Sequence, residues 1–291
     1  MKHTLLLLMI LTCMGCNDKT TSQNNFSKSE SQSKATNSDI SKKQTDQRAP
    51  VKVESTLNNQ DDWYWKNTQM SENNRFENWE QGPVDLVMTY RYRNNKNTPE
   101  TIDVGHIDGN GNLIMKLPET IQTETKVSNI ANLVFYDIQD MATLSSHNPT
   151  AGYFGKTTIQ VVKNGAVIGN LTLGNSVRVT YNLSNQSTLT MGDEGYLISW
   201  VYLDELASIK GTEETKNTVR RDGTNTIEAE NIVVYTLDYK PGWNLVKTEV
   251  IGKYDLDHER GLNASWFKKH VHTVISEIPS DAKYFFRKFN D

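Results

Sequence analysis

Apolar and polar positions alternate with period two along most of the chain beyond residue 63, the pattern of half-buried strands. Residues 84–92 are rich in β-branched and aromatic side chains, and 101–107 alternate strictly. Asp108-Gly109-Asn110-Gly111 then supplies a turn, since Gly and Asn tolerate positive φ, and the strand pattern resumes over 112–117 until Pro118. A second hairpin is predicted from 157–162 and 166–171 around Lys163-Asn164-Gly165. Further strands are predicted at 176–181, 196–202, 226–237 and 243–250, with Pro241-Gly242 as a turn, and a last one at 271–275. Helical periodicity is confined to 128–144 and a turn or two at 264–270.

Short strands at intervals of roughly 8–15 residues with Gly/Asn turns predict antiparallel sheets rather than βαβ units. The expected fold is mostly β: an antiparallel β-sandwich, or two closely packed β-modules divided near residue 150. It spans 61–291 and follows a signal peptide and a disordered tether.

The N-terminus carries a different pattern. Lys2 is followed by an apolar run over 5–14, the length of a signal-peptide core and too short for the ~20-residue helix that crosses a bilayer. Cys13-Met14-Gly15-Cys16 then meets the polar Asn17-Asp18-Lys19. This resembles a bacterial lipobox, with Cys13 standing where an aliphatic residue is usual. The resemblance implies cleavage after Gly15, a signal peptide over 1–15, and a diacylglycerol thioether with further acylation (palmitate class) on Cys16. Two or three acyl chains anchor stably where one does not.

Residues 17–60 are mostly Ser, Thr, Asn, Gln, Lys and Asp, with few large apolar side chains and with Phe26 and Ile40 isolated among them. Such a stretch cannot bury enough apolar surface to offset its ordering entropy. As a flexible tether of about 45 residues it has a typical reach of roughly 35–40 Å. The expected location is therefore the cell membrane or outer membrane, lipid-anchored, with the ectodomain outside the cytoplasm.

Composition narrows the chemistry. The formal net charge is −4 and the basic residues cluster at most in pairs, so no nucleic-acid partner is expected. The only two cysteines are Cys13 and Cys16, which removes disulfides, thiol nucleophiles and cysteine metal sites from the folded region. There is no G-x-S-x-G, H-E-x-x-H or Walker loop.

Asp108 opens a run like a calcium loop, but Leu113 stands where that loop needs Gly, so a hairpin turn is expected. His270 and His272, two apart on a strand, point to one face. Together with His258, Asp255 or Asp257 they are the candidate metal ligands, although solvent-facing histidines and no metal or cofactor are expected. Asp193-Glu194 and Asp204-Glu205 are paired carboxylates of the kind a glycosidase sets about 5–10 Å apart.

Six tryptophans and twelve tyrosines stand out. Trp200 and Trp243 lie in strand patterns and are expected in the core. Trp63 and Trp65, beside the tether, are the candidate exposed ligand-binding pair.

Three segments carry a family resemblance: residues 79–86 leading into 107–113 and Leu117-Pro118, then 199–205 with 209–211, then 242–246. They are similar to transthyretin-like or carboxypeptidase-regulatory-like sandwich modules, and in this order resemble bacterial lipoproteins with a β-rich ectodomain. The resemblance spans roughly 75–285 and implies a fold and a surface location, with no catalytic residues to carry over.

The expected function is a non-enzymatic, membrane-anchored envelope lipoprotein with a binding or structural/assembly role. Its partners would be the membrane, through Cys16, and an envelope protein or glycan. The alternative is a secreted envelope hydrolase that uses the paired carboxylates on glycan or peptide.

Overall fold

A computed structural model describes residues 66–90, 100–123, 125–129, 135, 137–222, 224–256 and 264–289. These belong to one structural unit, 55–291. Cys16, the tether, Trp63, Trp65, Asp257 and His258 lie outside the described residues.

The described chain is mostly β, as expected, with one α-helix. In order the strands are β1 (Thr68–Glu72), β2 (Arg75–Phe76), β3 (Val84–Tyr90), β4 (Glu100–Ile107), β5 (Leu113–Met115) and β6 (Thr125–Lys126). They continue as β7 (Leu144–His147), β8 (Gly152–Lys156), β9 (Ile159–Lys163) and β10 (Ala166–Gly174). After the helix α1 (Val177–Ser184) come β11 (Gly195–Leu203), β12 (Ala207–Asp222), β13 (Asn225–Tyr239), β14 (Gly242–Leu256), β15 (Ala264–Ile275) and β16 (Lys283–Lys288).

The strands join into one large, open sheet, along the path β5-β4-β3-β9-β10-β11-β14-β15-β13-β12-β7. The sheet is mixed, because β13 and β15 run parallel while β14 and β15 run antiparallel. Its strand pairing is continuous across the predicted division near residue 150.

Strand β11 explains how one sheet supports two cores. Every residue from Tyr196 to Leu203 is buried, the near-continuous apolar run of a strand covered on both faces. Tyr196, Ile198, Trp200 and Tyr202 enter a core with β3, β9, β10 and β16. Leu197, Val201 and Leu203, pointing the other way, enter a second core with β13, β14 and residues from 127–138.

Three local readings are corrected by the fold. Residues 176–181 form a helix, not a strand: the Ser176 hydroxyl caps it by accepting from the Val179 amide, and Val177, Val179, Thr180 and Leu183 bury one side. Residues 264–270 belong to β15, and a further strand, β16, follows the one predicted to be last. The described part of 128–144 is irregular apart from a 3-10 turn at Met141–Thr143.

The Asp108 loop is a hairpin turn closed on itself. Asp108 Oδ1 accepts from the amides of Asn110 (2.8 Å) and Asn112 (3.0 Å), and Oδ2 accepts from Asn112 Nδ2 (2.8 Å). Those bonds to Asn112 and Asn110 hold the Asp108 carboxyl below its ordinary range. Gly111 completes the turn at φ +82°, where a Cβ would stand 2.3 Å from the Phe76 carbonyl oxygen.

Candidate functional site

Two places in the fold carry more polar chemistry than packing requires: a buried cluster on β15, and a cleft beside α1.

The cluster is built from three adjacent strands. β15 lies between β13 and β14, and in its register Tyr235, His272 and Thr248 stand side by side on one rung. Neighbouring strands place such residues on the same face within about 5 Å. The next rung in phase holds Val233, His270 and Val250. That face looks into the second core, so the two histidines are 0% and 1% exposed rather than solvent-facing.

Asp137 reaches them from the segment that covers the core. Its Oδ2 lies 2.8 Å from His270 Nδ1 and 3.0 Å from His272 Nε2, and the Tyr235 hydroxyl donates to its Oδ1 at 2.6 Å. His272 Nδ1 is hydrogen-bonded to Thr248 Oγ1 at 2.8 Å. Phe267 stacks on His270 with centroids 3.8 Å apart, and Tyr235 stacks on His272 at 4.3 Å.

Glu213 of β12 fixes the Asp137 segment. Its carboxylate accepts the backbone amides of Gln139 and Asp140. Asp140 in turn caps the 3-10 turn by accepting from the Ala142 amide.

Burial alone would raise the Asp137 carboxyl. The interactions and hydrogen bonds with His272 and His270 outweigh it and hold the group far below the carboxylate range. The Tyr235 hydroxyl is pushed well above its ordinary value by burial and then by the Asp137 charge, so it acts as a donor. Burial, stronger than the Asp137 contact that opposes it, lowers the His270 imidazole.

The sequence reading paired His270 with His272 and missed Asp137, which lies 133 and 135 positions away. No local signal marks Asp137, whose flanks are ordinary apolar residues. Asp255, a candidate third ligand, pairs instead with Lys253 at 3.0 Å.

The cleft, about 500 Å³, lies between α1, β10 and β16. Its walls carry neutral hydroxyl and amide groups, among them Thr158, Asn170, Ser184 and Gln186, together with the Tyr181 ring. The Arg287 guanidinium sits 4.3 Å over that ring, a cation–π pair that fixes both groups. Among the described residues no carboxylate lines this cleft.

The paired carboxylates serve as braces. Asp193 pairs with Arg178 and, at 3.9 Å, with Lys253. Glu194 accepts from the Gly252 amide at 2.8 Å. Asp204 accepts from the Gly152 amide at 2.6 Å, and Glu205 accepts from Asn148 Nδ2 at 2.8 Å. The two pairs flank opposite ends of β11, which at about 3.3 Å per residue sets them roughly 30 Å apart. The structure does not bring them together across one substrate bond.

Trp200 is a core residue, as expected. Trp243 is half-buried, packs edge-on against Phe154 and Tyr202, and donates to the Pro118 carbonyl at 2.7 Å. Among the described residues no helix is long and apolar enough to cross a membrane. No protein-family model, curated protein or solved structure matches this chain. The class that fold and sites define is a mostly-β domain with a cleft of mixed polar and apolar lining on one side and a charged cluster inside its second core.

Proposed function

We propose that this chain is a lipid-anchored cell-envelope protein whose ectodomain binds a glycan-class ligand in the cleft beside α1. The composition of the cleft carries the reading. Its volume falls within the ~300–1,000 Å³ typical of ligand sites. Neutral donors and acceptors, the Tyr181 ring and the Arg287 guanidinium suit a hydroxyl-rich ligand, and among the described residues no carboxylate pair lines the cleft. Placement outside the cytoplasm rests on the lipobox-like Gly15-Cys16, the polar tether and the resemblance to β-rich lipoproteins.

Two measurements test the two halves. Cells expressing the full chain are labelled with a fatty-acid analogue. The wild type is expected to take up label and a Cys16→Ala variant to take up none, and equal labelling removes the anchor. Separately, detergent-solubilised full-length protein is titrated with soluble cell-wall glycan fragments. Tyr181→Ala is expected to weaken binding at least about tenfold, the equivalent of ~1.4 kcal/mol. Absence of wild-type binding, or unchanged affinity in the variant, removes the cleft.

A further inference from the structure

We infer that Asp137, His270 and His272 form a binding site for a divalent ion of the zinc class, buried in the second core and separate from the cleft. One ligand atom from each of Asp137, His270 and His272 lies within 4.8 Å of the other two, and Asp137 Oδ2 touches His270 Nδ1 and His272 Nε2. Ligands on one tetrahedral zinc, with bonds of about 2.0–2.2 Å, stand roughly 3.3 Å apart. The Asp–His edges, at 2.8 and 3.0 Å, need to open by only a few tenths of an ångström for the ion to sit between them. The edge between the two imidazoles, which spans up to 4.8 Å, must close to roughly 3.3 Å, a movement of about 1.5 Å at most.

The donor chemistry selects the ion. Two imidazoles and one carboxylate suit zinc, cobalt or nickel, whereas calcium and magnesium are held by oxygen shells. Three protein ligands leave a fourth position for water or another ligand.

The surroundings are those that hold metal ligands in place. Metal-bound imidazoles and carboxylates bond through their far heteroatom to an orienting partner. Here Thr248 holds His272 Nδ1 and Tyr235 holds Asp137 Oδ1. Ring stacking by Phe267 and Tyr235 fixes both imidazole planes, and Glu213 clasps the segment that presents Asp137. Among the described residues His270 Nε2, on the far side of that ring from Asp137, is buried without a hydrogen-bond partner, so this imidazole lacks the orienting contact that His272 has.

Ion entry breaks the two Asp–His hydrogen bonds and switches both tautomers, with no net loss of protons from neutral rings. The His272 proton moves to Nδ1, where Thr248 accepts it. The His270 proton moves to Nε2, which has no such acceptor. His272 is therefore the stronger ligand and the position to substitute.

The test uses full-length protein stripped with chelator, dialysed, and titrated with Co²⁺ and then Zn²⁺. One equivalent of Co²⁺ is expected to bind with visible d–d absorption that Zn²⁺ abolishes. In the NMR spectrum the ring signals of His270 and His272 should shift, while those of exposed His106 and His147 should not. His272→Gln is expected to weaken binding at least a hundredfold. Thr248→Ala, which leaves all three ligands in place, should weaken it about 10–100-fold. The site is overturned if wild type takes up no ion, if only other histidines shift, or if a folded His272→Gln binds like wild type. Should His272→Gln fail to fold, the wild-type titration and Thr248→Ala decide the matter.

Discussion

Asp137→Asn is expected to cost the metal-free protein about 3–5 kcal/mol, the range seen when one partner of a buried charged network is removed. The Asp137 side chain is 5% exposed and accepts from His270, His272 and Tyr235. An amide offers one acceptor oxygen in place of two and turns a donor toward groups that already donate. Either the two imidazoles or the Tyr235 hydroxyl are then buried without their acceptor, and each such group costs about 1–3 kcal/mol. For a unit of this size the loss corresponds to a fall in Tm of roughly 10 °C. Tyr235→Phe removes one neutral donor and should cost only about 1 kcal/mol. Urea melts in the presence of chelator measure both. A ratio near one between the two variants would mean that Asp137 does not collect the cluster as described.

The contrast between that cluster and the rest of the fold shows what sequence pattern can carry. β11 was legible because Tyr196–Tyr202 is an apolar run broken only by Ser199, and a run is a local property. The Asp108 hairpin was legible because its turn chemistry lies within five residues. Residues 176–181 were misread for a physical reason. Val177, Val179 and Tyr181 fit a period of two, and a helix of eight residues is too short for the 3.6 period to outvote it. Only packing of Val177, Thr180 and Leu183 onto neighbouring strands decides for helix, and packing overrides propensity.

The candidate site divides in the same way. The pairing of His270 with His272 follows from strand alternation. Their burial does not, because Lys268 and Lys269 beside them suggest an exposed strand. What buries them is the position of β15 between two long neighbours, with one face turned to the second core. Asp137 arrives through a segment that no periodicity links to β15. Likewise Asp193, Glu194, Asp204 and Glu205 read as candidate acids because carboxylates adjacent in sequence look available. Their backbone-amide and cation partners come from β8, α1 and β14, far along the chain.

Trp200→Ala is expected to destabilise the whole folded unit, not just one half of it. The direct cost is about 3–5 kcal/mol, the usual range for truncating a large buried aromatic, because the surroundings cannot collapse into the space left. Trp200 belongs to the first core, while Val201, one residue on, belongs to the second. The same backbone pairs with β14 along its full length and with β8 at Trp200–Leu203. Losing β11 from one core therefore strips a wall from the other, and neither core keeps its covering. Native-state hydrogen exchange should register this as a joint loss of protection. The amides of β3, which serves the first core, and of β13, which serves the second, should fall by similar amounts in Trp200→Ala. Val201→Ala, a smaller truncation on the opposite face, should lower both sets together by a lesser amount. Loss of protection confined to β3 would mean that the cores open independently and that β11 does not couple them.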